Sequence, residues 1–370
     1  MDLLTASWLF SSLFILLSLG LYTIITLYFA KKQRIVRKDF SYRPNVTIIV
    51  PVHNEESVIE KKLRNIIQTE YPAEKIDNVI VLDDNSTDGT LHKVNSFLRE
   101  TICPFHLDVI KYRGLPGKAR AINWILPYIK TDIVVITDAD SVWNKDSLVH
   151  LLTNFSNTQV GAVTGQIVIE KDTTSFSGSI ESRYRDIFHI WRLGEANIDS
   201  VALLNGPLYA FRRVLISEIN EKCLDDGYVA FEVRKKGFRA TYEPNAIVYE
   251  RASSTLGGEI RQKMRRAKRY ISVLLLNRDL LGKEGRFGKF IYPSMIILHI
   301  VLPFVLYWFI FSSLFMTIRY PYLLLLSLVL IFPKIRALFL SFIINQTALV
   351  LCHFLPPISS WEPIKNLRPN

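Results

Sequence analysis

The sequence predicts an α/β protein: a mixed, mainly parallel sheet with helices, carried on transmembrane α-helices. Two observations predict it. Short β-branched runs alternate with amphipathic helical segments across the middle of the chain. Such alternation implies a parallel sheet with helical crossovers. Long uncharged apolar runs flank that region on both sides, at lengths that span a bilayer. The expected division is 1–39, an N-terminal transmembrane anchor with a basic juxtamembrane segment; 40–255, the α/β domain; 256–290, an amphipathic interface-helix region; and 291–370, C-terminal transmembrane helices.

The anchor comes first. Trp8 to Ala30 is 23 residues without a charge. A cleaved signal peptide would carry positive charge ahead of a shorter apolar core. Here the positives follow the run, at Lys31, Lys32, Arg34, Arg37 and Lys38. The expectation is therefore a multi-pass cell-membrane protein with its N-terminus outside and residue 31 onward in the cytoplasm. The chain has 370 residues, a net charge of +11 and a pI near 9.4. Its basic residues crowd into 31–38 and 261–289, both beside apolar runs. That placement is juxtamembrane charge and points to a lipid bilayer, with no nucleic acid as partner. Cys103, Cys223 and Cys352 lie far apart and suggest neither a disulfide framework nor a metal cluster.

In the α/β region, Val46 to Val50 reads as a buried strand ended by Pro51. Glu55 to Tyr71 carries apolar residues at 59, 63, 66 and 67, a helical period. Asn78 to Leu82 is a second strand, Leu91 to Leu98 a helix, and Asp132 to Ile136 a third strand. Each strand runs into polar residues: His53-Asn54-Glu55, Asp83-Asp84, and Asp138-Ala139-Asp140. One such ending is a turn signal. Three in one parallel sheet converge beyond the carboxyl ends of the strands, where ligands bind. An acidic edge on a basic protein calls for a compensating cation or donor groups. Oxygen-only ligands suit Mg²⁺ or Mn²⁺. There is no G-x-G-x-x-G and no Walker lysine loop; Gly114 to Lys118 has the wrong spacing.

Further on, Ile260, Met264, Ala267, Ile271 and Leu274 fall at helical spacing, with Arg261, Arg265, Arg266, Lys268 and Arg269 elsewhere around the helix. That describes a membrane-surface helix. Ile291 to Ile318 is an uncharged span. Tyr320 to Pro333 is apolar but only 14 residues, and Ala337 to Trp361 is again uncharged. These last two are either a short second span plus a third, or a re-entrant segment.

Six motifs occur in order: Val50-Pro51-Val52-His53-Asn54-Glu55, Asp83-Asp84-Asn85-Ser86-Thr87-Asp88-Gly89, Gly117-Lys118-Ala119-Arg120-Ala121-Ile122-Asn123, Asp138-Ala139-Asp140, Gly206-Pro207 through Arg213, and Leu224-Asp225-Asp226 with Gly237 eleven residues on. Together they resemble glycosyltransferase family 2, the inverting GT-A enzymes, over about 45–280. The flanking spans make the resemblance specific to the membrane-embedded branch with hyaluronan, cellulose and poly-N-acetylglucosamine synthases.

The resemblance implies a Rossmann-like GT-A domain and sugar transfer from a nucleotide sugar, with inversion, to a glycan or lipid-linked acceptor hydroxyl in polysaccharide biosynthesis. It assigns Pro51, His53, Glu55, Asp84, Lys118 and Asp138 to the nucleotide sugar. Asp84 would be the uracil contact, which makes a UDP-sugar the expected donor. Asp140, helped by Asp138, would hold the metal. Asp226 would be the general base. Gln262, Arg265 and Arg266 would contact the acceptor or the diphosphate. Two departures stand out. The processive synthases carry Q-x-x-R-W, where this chain has Gln262-Lys263-Met264-Arg265-Arg266. Tyr228 stands where the family usually has another Asp. The plainer alternatives are that Asp225 and Asp226 are helix-start carboxylates, that Glu55 merely opens its helix, and that Lys118 is a solvated lysine. The alternative functions are a polyprenyl-phosphate sugar synthase, or a non-catalytic binding protein on a transferase scaffold.

Overall fold

The computed structural model describes residues 2–32, 38–170, 176–250 and 256–354. Arg34 and Arg37 of the first basic cluster, the expected boundary at 255, and 355–361 of the last apolar run lie outside the described residues.

The chain opens with helix α1 (Leu3–Ala30). It then alternates through β1 (Val46–Val52), α2 (Ile59–Ile67), β2 (Ile76–Asp84), α3 (Thr90–Glu100), β3 (Leu107–Tyr112), α4 (Lys118–Ile125) and β4 (Ile133–Ile136). There follow β5 (Val142–Trp143), α5 (Ser147–Leu152), β6 (Val160–Ile169), α6 (Phe176–Ile198), β7 (Tyr209–Arg212), α7 (Asp225–Lys235), β8 (Arg239–Glu250) and α8 (Leu256–Leu276). The strands form one sheet in the order β3-β2-β1-β4-β7-β6-β8-β5. β3, β2, β1 and β4 run parallel. β7 is antiparallel to β4 and to β6, β6 is parallel to β8, and β5 is antiparallel to β8. The sheet is thus mixed and mainly parallel, as expected.

The central strands are aliphatic on both faces because helices cover both. Ile48 and Val50 of β1 pack with Ile59, Leu63 and Ile66 of α2. Their neighbour Ile49, on the other face, packs with Ile136 and with Ala121 and Ile122 of α4. A third cluster joins Tyr22 of α1, Phe231 of α7, Leu274 of α8 and Phe287 and Tyr292.

Several boundaries differ from expectation, each for a physical reason. β1 continues through Pro51 because β4 pairs no further than Ile49, so one side of β1 needs no donor there. β2 continues through Asp83 and Asp84, paired with Lys111 and Tyr112 of β3. The two carboxylates are therefore strand residues, not a turn. α2 starts at Ile59; Glu55 instead opens a turn in which its carbonyl accepts from Val58 and Ile59.

Among the described residues three helices are long and apolar enough to cross a membrane: Leu3–Ala30, Phe287–Arg319 and Ile335–Phe354. The segment Pro321–Ile331 is a 3₁₀-helix of 11 residues. At about 2.0 Å per residue it falls short of a bilayer core of roughly 30 Å. Among the described residues the C-terminal part thus holds two helices long and apolar enough to cross, with Pro321–Ile331 between them too short.

α1 lies along α6 and along the span that ends at Arg319. Trp8 Nε1 donates to Ser313 Oγ at 2.8 Å, and Arg319 pairs with Asp2. At the other end, Asn197 Nδ2 donates to the Phe29 carbonyl at 2.9 Å. Gly194 permits this close approach: a Cβ there would lie 2.6 Å from Thr26 Cα and 2.7 Å from its carbonyl carbon.

The substitution Gly194→Ala should therefore force α1 off α6. Overpacking of this kind costs about 1–3 kcal/mol, and each kcal/mol moves a melting midpoint by about 2–4 °C at this size. Thermal unfolding of the detergent-solubilised protein should show that drop. The control Gly257→Ala, where nothing lies within 4 Å, should show none. Equal midpoints for both variants would refute this packing.

Candidate active site

The ends of β1 and β2 are sewn into one cradle. His53 Nδ1 lies 2.5 Å from the Asp84 carbonyl. Asn54 adopts φ +57°, which asparagine tolerates better than most residues. Its side-chain oxygen accepts from the backbone N–H of Thr87 at 2.8 Å and of Asp88 at 3.2 Å. The Glu55 amide donates to Thr90 Oγ1 at 2.8 Å. Asp83 accepts from Ser86 N at 3.2 Å. Asp84 is fully buried; its Oδ2 accepts from Gly117 N at 2.7 Å and its Oδ1 from Asn85 Nδ2 at 3.2 Å. Burial pushes its carboxyl up, against the pull of these donors. Both carboxylates of the pair at 83–84 thus tie down local backbone.

The residue after Gly117 carries the next link. Lys118 Nζ bridges two carboxylates, Asp138 Oδ1 at 2.8 Å and Asp225 Oδ2 at 3.0 Å. It is not a solvated lysine. Burial alone would lower its pKa, but the two carboxylates override that and hold it above the ordinary lysine value. Asp225 also accepts from Tyr209 Oη at 3.2 Å.

Asp225 and Asp226 open α7, where the helix N-terminus favours carboxylates. Their surroundings push them apart. Burial raises both, but Lys118 and Arg269 overcome it at Asp225 and hold its carboxyl below the usual range. At Asp226, burial and the charge of Asp225 prevail over Lys118, the Gly227 N–H and Arg266, and its carboxyl is raised. Asp226 Oδ1 accepts from Gly227 N at 2.7 Å. Its other oxygen faces Gly206. A Cβ on Gly206 would lie 3.3 Å from Asp226 Oδ2 and 3.5 Å from Asp138 Oδ2. Those two oxygens therefore address one small volume beside Gly206, which a side chain there would crowd.

Helix α8 reaches this cluster through Arg269 and Arg266. Arg269 Nε donates to the Cys223 carbonyl at 3.0 Å, and its Nη2 to the Glu221 carbonyl at 3.2 Å. It thereby clamps the loop that delivers Asp225 and Asp226. Arg266 acts electrostatically on both Asp226 and Glu250. Gln262 and Arg265 are half-buried on the same helix. Gln262 makes no hydrogen bond among the described residues.

The structure thus joins Asp84, Lys118, Asp138 and Asp226 of the expected residues in one connected site. Pro51, His53 and Glu55 shape its β1 edge. Sequence reasoning missed Tyr209, Arg269, the pairing of Asp225, and Lys62. Lys62 is fully buried beneath the turn carrying Asp138 and Asp140, and burial pushes its amine down to about 7 against the pull of those two carboxylates. The signal was present: positions 59, 62, 63 and 66 form one buried helix face, and a lysine stands among its aliphatics.

Asp138 and Asp140 are the residues able to hold a metal. Among the described residues no group of three or more His, Cys, Asp or Glu comes together for that purpose. A two-carboxylate oxygen set fits Mg²⁺ or Mn²⁺, which keep water and substrate phosphate as their remaining ligands. Asp138 also has one oxygen engaged by Lys118 and one turned to the open volume at Gly206.

Comparison with known proteins gives the family and the fold. Poly-beta-1,6-N-acetyl-D-glucosamine synthase of Staphylococcus aureus (strain COL) is 24% identical over 287 residues, covering 74% of this chain and 68% of that protein. The synthase of the same name from Staphylococcus epidermidis is 23% identical over 250 residues, covering 66% of this chain and 59% of that protein. The mannosyltransferase PcManGT from Pyrobaculum calidifontis, solved in complex with GDP-Man and Mn²⁺, superposes with a TM-score of 0.81 at 27% identity, covering 95% of this chain and 98% of that one. The fold is GT-A, on a mainly parallel sheet. The profile of the family described as Glycosyltransferase like family 2 matches residues 44–268, and the chain belongs to that family, as a hexosyltransferase.

Proposed function

We propose that this glycosyltransferase moves a sugar from a nucleoside diphosphate sugar to a hydroxyl of a glycan or lipid-linked acceptor, with inversion and with a divalent metal, at the cytoplasmic face of a membrane. The observation that carries the reading is the split pair. Asp225 is tied to Lys118 and Tyr209, whereas Asp226 turns a raised, unpaired carboxylate oxygen toward the volume it shares with Asp138.

Asp226 is the general base that takes the proton of the attacking hydroxyl; a pKa near the working pH suits that task. Asp225 is held ionised and keeps Lys118 in place. Lys118 puts a fixed cation beside Asp138, where the charge of the departing diphosphate develops. A metal bound on Asp138 and Asp140 supplies further neutralisation of that leaving group. Attack by the hydroxyl opposite the departing diphosphate inverts the anomeric carbon. The Mn²⁺ and GDP-Man named for PcManGT support the metal and the nucleotide diphosphate sugar. They also support a GDP-sugar as an alternative to the UDP-sugar expected from Asp84. The glycan acceptor is supported by the poly-N-acetylglucosamine synthases among the relatives.

The multi-pass arrangement is supported by the pairing of Asp2 with Arg319, which sets the free ends of two apolar helices on one side, away from the sheet. The basic residues at Lys31 and Lys32 then favour a cytoplasmic sheet domain. Protease added to sealed inside-out vesicles should cut within 40–250; protection there would reverse the topology.

A second reading has its own observation. Arg266 stands where processive relatives carry tryptophan, and its charge reaches Asp226. A cation there suits an anionic lipid-phosphate acceptor, which needs no strong base. Transfer from labelled GDP- and UDP-sugars with Mn²⁺ separates the two readings. Asp226→Asn should lower transfer by about 10²–10⁴-fold if the acceptor is a hydroxyl. Retained transfer into an organic-soluble product would instead establish the lipid-phosphate acceptor.

The pH dependence follows from Asp226, whose carboxyl is raised to about 7. A base must be ionised, so kcat/KM should climb as pH rises through about 7. Stability has the opposite sign. Between the ordinary carboxylate value near 4 and about 7, the folded state binds the proton that the unfolded state has lost, so stability falls as pH rises across that window. Asp226→Asn should abolish this contribution to the slope of melting midpoint against pH; an unchanged slope would mean that Asp226 titrates normally.

A further inference from the structure

We propose that Lys62 is the positioning residue of the metal-binding turn, locking Asp138 and Asp140 in register with the acceptor-side loop at Gly206-Pro207. The proposal deepens the transferase reading and rests on its assignment of Asp138 and Asp140. Lys62 projects from α2 into the interior and is wholly buried. Its Nζ donates to Thr137 Oγ1 at 2.6 Å, to the Ser141 carbonyl at 3.1 Å and to Ser141 Oγ at 3.3 Å. Thr137 and Ser141 bracket the metal-binding carboxylates, so one ammonium grips the turn at both ends. The indole of Trp143 closes the remaining side, with Nζ 4.3 Å from the ring centroid.

The same hydroxyls pass the constraint on. Thr137 Oγ1 donates to the Pro207 carbonyl at 2.8 Å. Ser141 Oγ donates to the Asp138 carbonyl at 2.9 Å and reaches the Pro207 carbonyl at 3.3 Å. Pro207 follows Gly206, the point that Asp138 and Asp226 both face. Lys62 is therefore the hub of a network joining the metal turn to the loop beneath the base.

Its chemistry excludes a filler role. A buried ammonium is expensive, and an aliphatic side chain would occupy the place without that cost. Among the described residues Lys62 forms no direct ion pair, although the charges of Asp138 and Asp140 favour its ammonium. What the lysine adds is three directed donors, aimed at a turn that must hold two like-charged carboxylates side by side. Partners behind metal ligands act in this way, and their loss typically weakens metal binding by roughly 10–100-fold.

The test compares wild type, Lys62→Met and Thr137→Val in the full-length protein in detergent. Methionine keeps the volume and removes the donors. Valine keeps the lysine and removes the hydroxyl that relays to Pro207, and it serves if the first variant fails to fold. The first readout is hydrogen exchange without metal or nucleotide, so it does not depend on the donor being right. Exchange should accelerate at 137–141 and 205–208 and stay unchanged in β2 and β3. No change at those two loops, or faster exchange throughout the sheet, would overturn the positioning role. The second readout is Mn²⁺ binding followed by electron paramagnetic resonance in the presence of GDP or UDP. Both variants should bind Mn²⁺ roughly 10–100-fold more weakly; affinity equal to wild type would overturn the proposal. A wild type that binds no Mn²⁺ with either nucleotide would sink the metal assignment itself, and the exchange result then decides the role of Lys62 in shaping the turn.

Discussion

Lys118 holds together three pieces of chain that share no strand pairing: the start of α4, the turn after β4 and the start of α7. Its two carboxylate partners come from positions 138 and 225, and the lysine is mostly buried. Removing one partner of such a cluster leaves uncompensated charge, a loss of about 3–5 kcal/mol. The cluster also does electrostatic sorting. Two adjacent buried aspartates would otherwise compete for one proton. By pairing with one of them, Lys118 leaves its neighbour to carry the proton-accepting task. The raised carboxyl of Asp226 is thus a consequence of how Asp225 is held.

That arrangement is fastened from α8 as well. Arg269 binds the carbonyls of the loop before α7 with the same guanidinium whose charge lowers Asp225. α8 in turn packs on the long apolar span through Tyr270, Leu274 and Tyr292. α1 joins through Tyr22, whose hydroxyl donates to Glu195 at 2.6 Å. Glu195 also accepts from Arg192 at 3.1 Å and from the Ala202 amide at 3.2 Å. A buried carboxylate with three donors has both oxygens engaged and most of its acceptor sites filled. It therefore fixes the relation of α1, α6 and the 200–205 loop in a way that apolar contacts alone would not. The apolar helices are consequently part of the frame of the site as well as its anchor.

Much of this was legible. The aliphatic strands at 46, 78 and 132 and the polar residues that end them appear in the sequence because parallel strands buried on both faces leave little choice of residue. The six ordered motifs placed Lys118, Asp138 and Asp226 in one site. The second half of the sheet was not legible. β7 is only four residues, and β6 and β8 mix small, polar and aromatic residues, because they pair with each other over a long register and need less from each side chain. β3 alternates and is half-buried, as befits an edge strand, and so gives a weak apolar signal. Side-chain partnerships such as Lys62 with Thr137, 75 positions apart, depend on tertiary placement that no local pattern encodes.

The pair Asp83-Asp84 shows how far a motif alone can lead. In the structure Asp84 has no exposed surface, and the N–H of Gly117 caps its outer oxygen. A carboxylate retains further lone pairs, but one of its two oxygens is already engaged by the 114–117 loop. The next residue is Lys118. Any ligand that displaces Gly117 from Asp84 therefore also pulls on the backbone that sets the reach of Lys118 to Asp138 and Asp225. The hydrogen bond that holds Asp84 and the ion pairs that hold Asp138 and Asp225 thus come from two consecutive residues, so the β2 end of the site and the acidic cluster are anchored at adjoining points of one short segment.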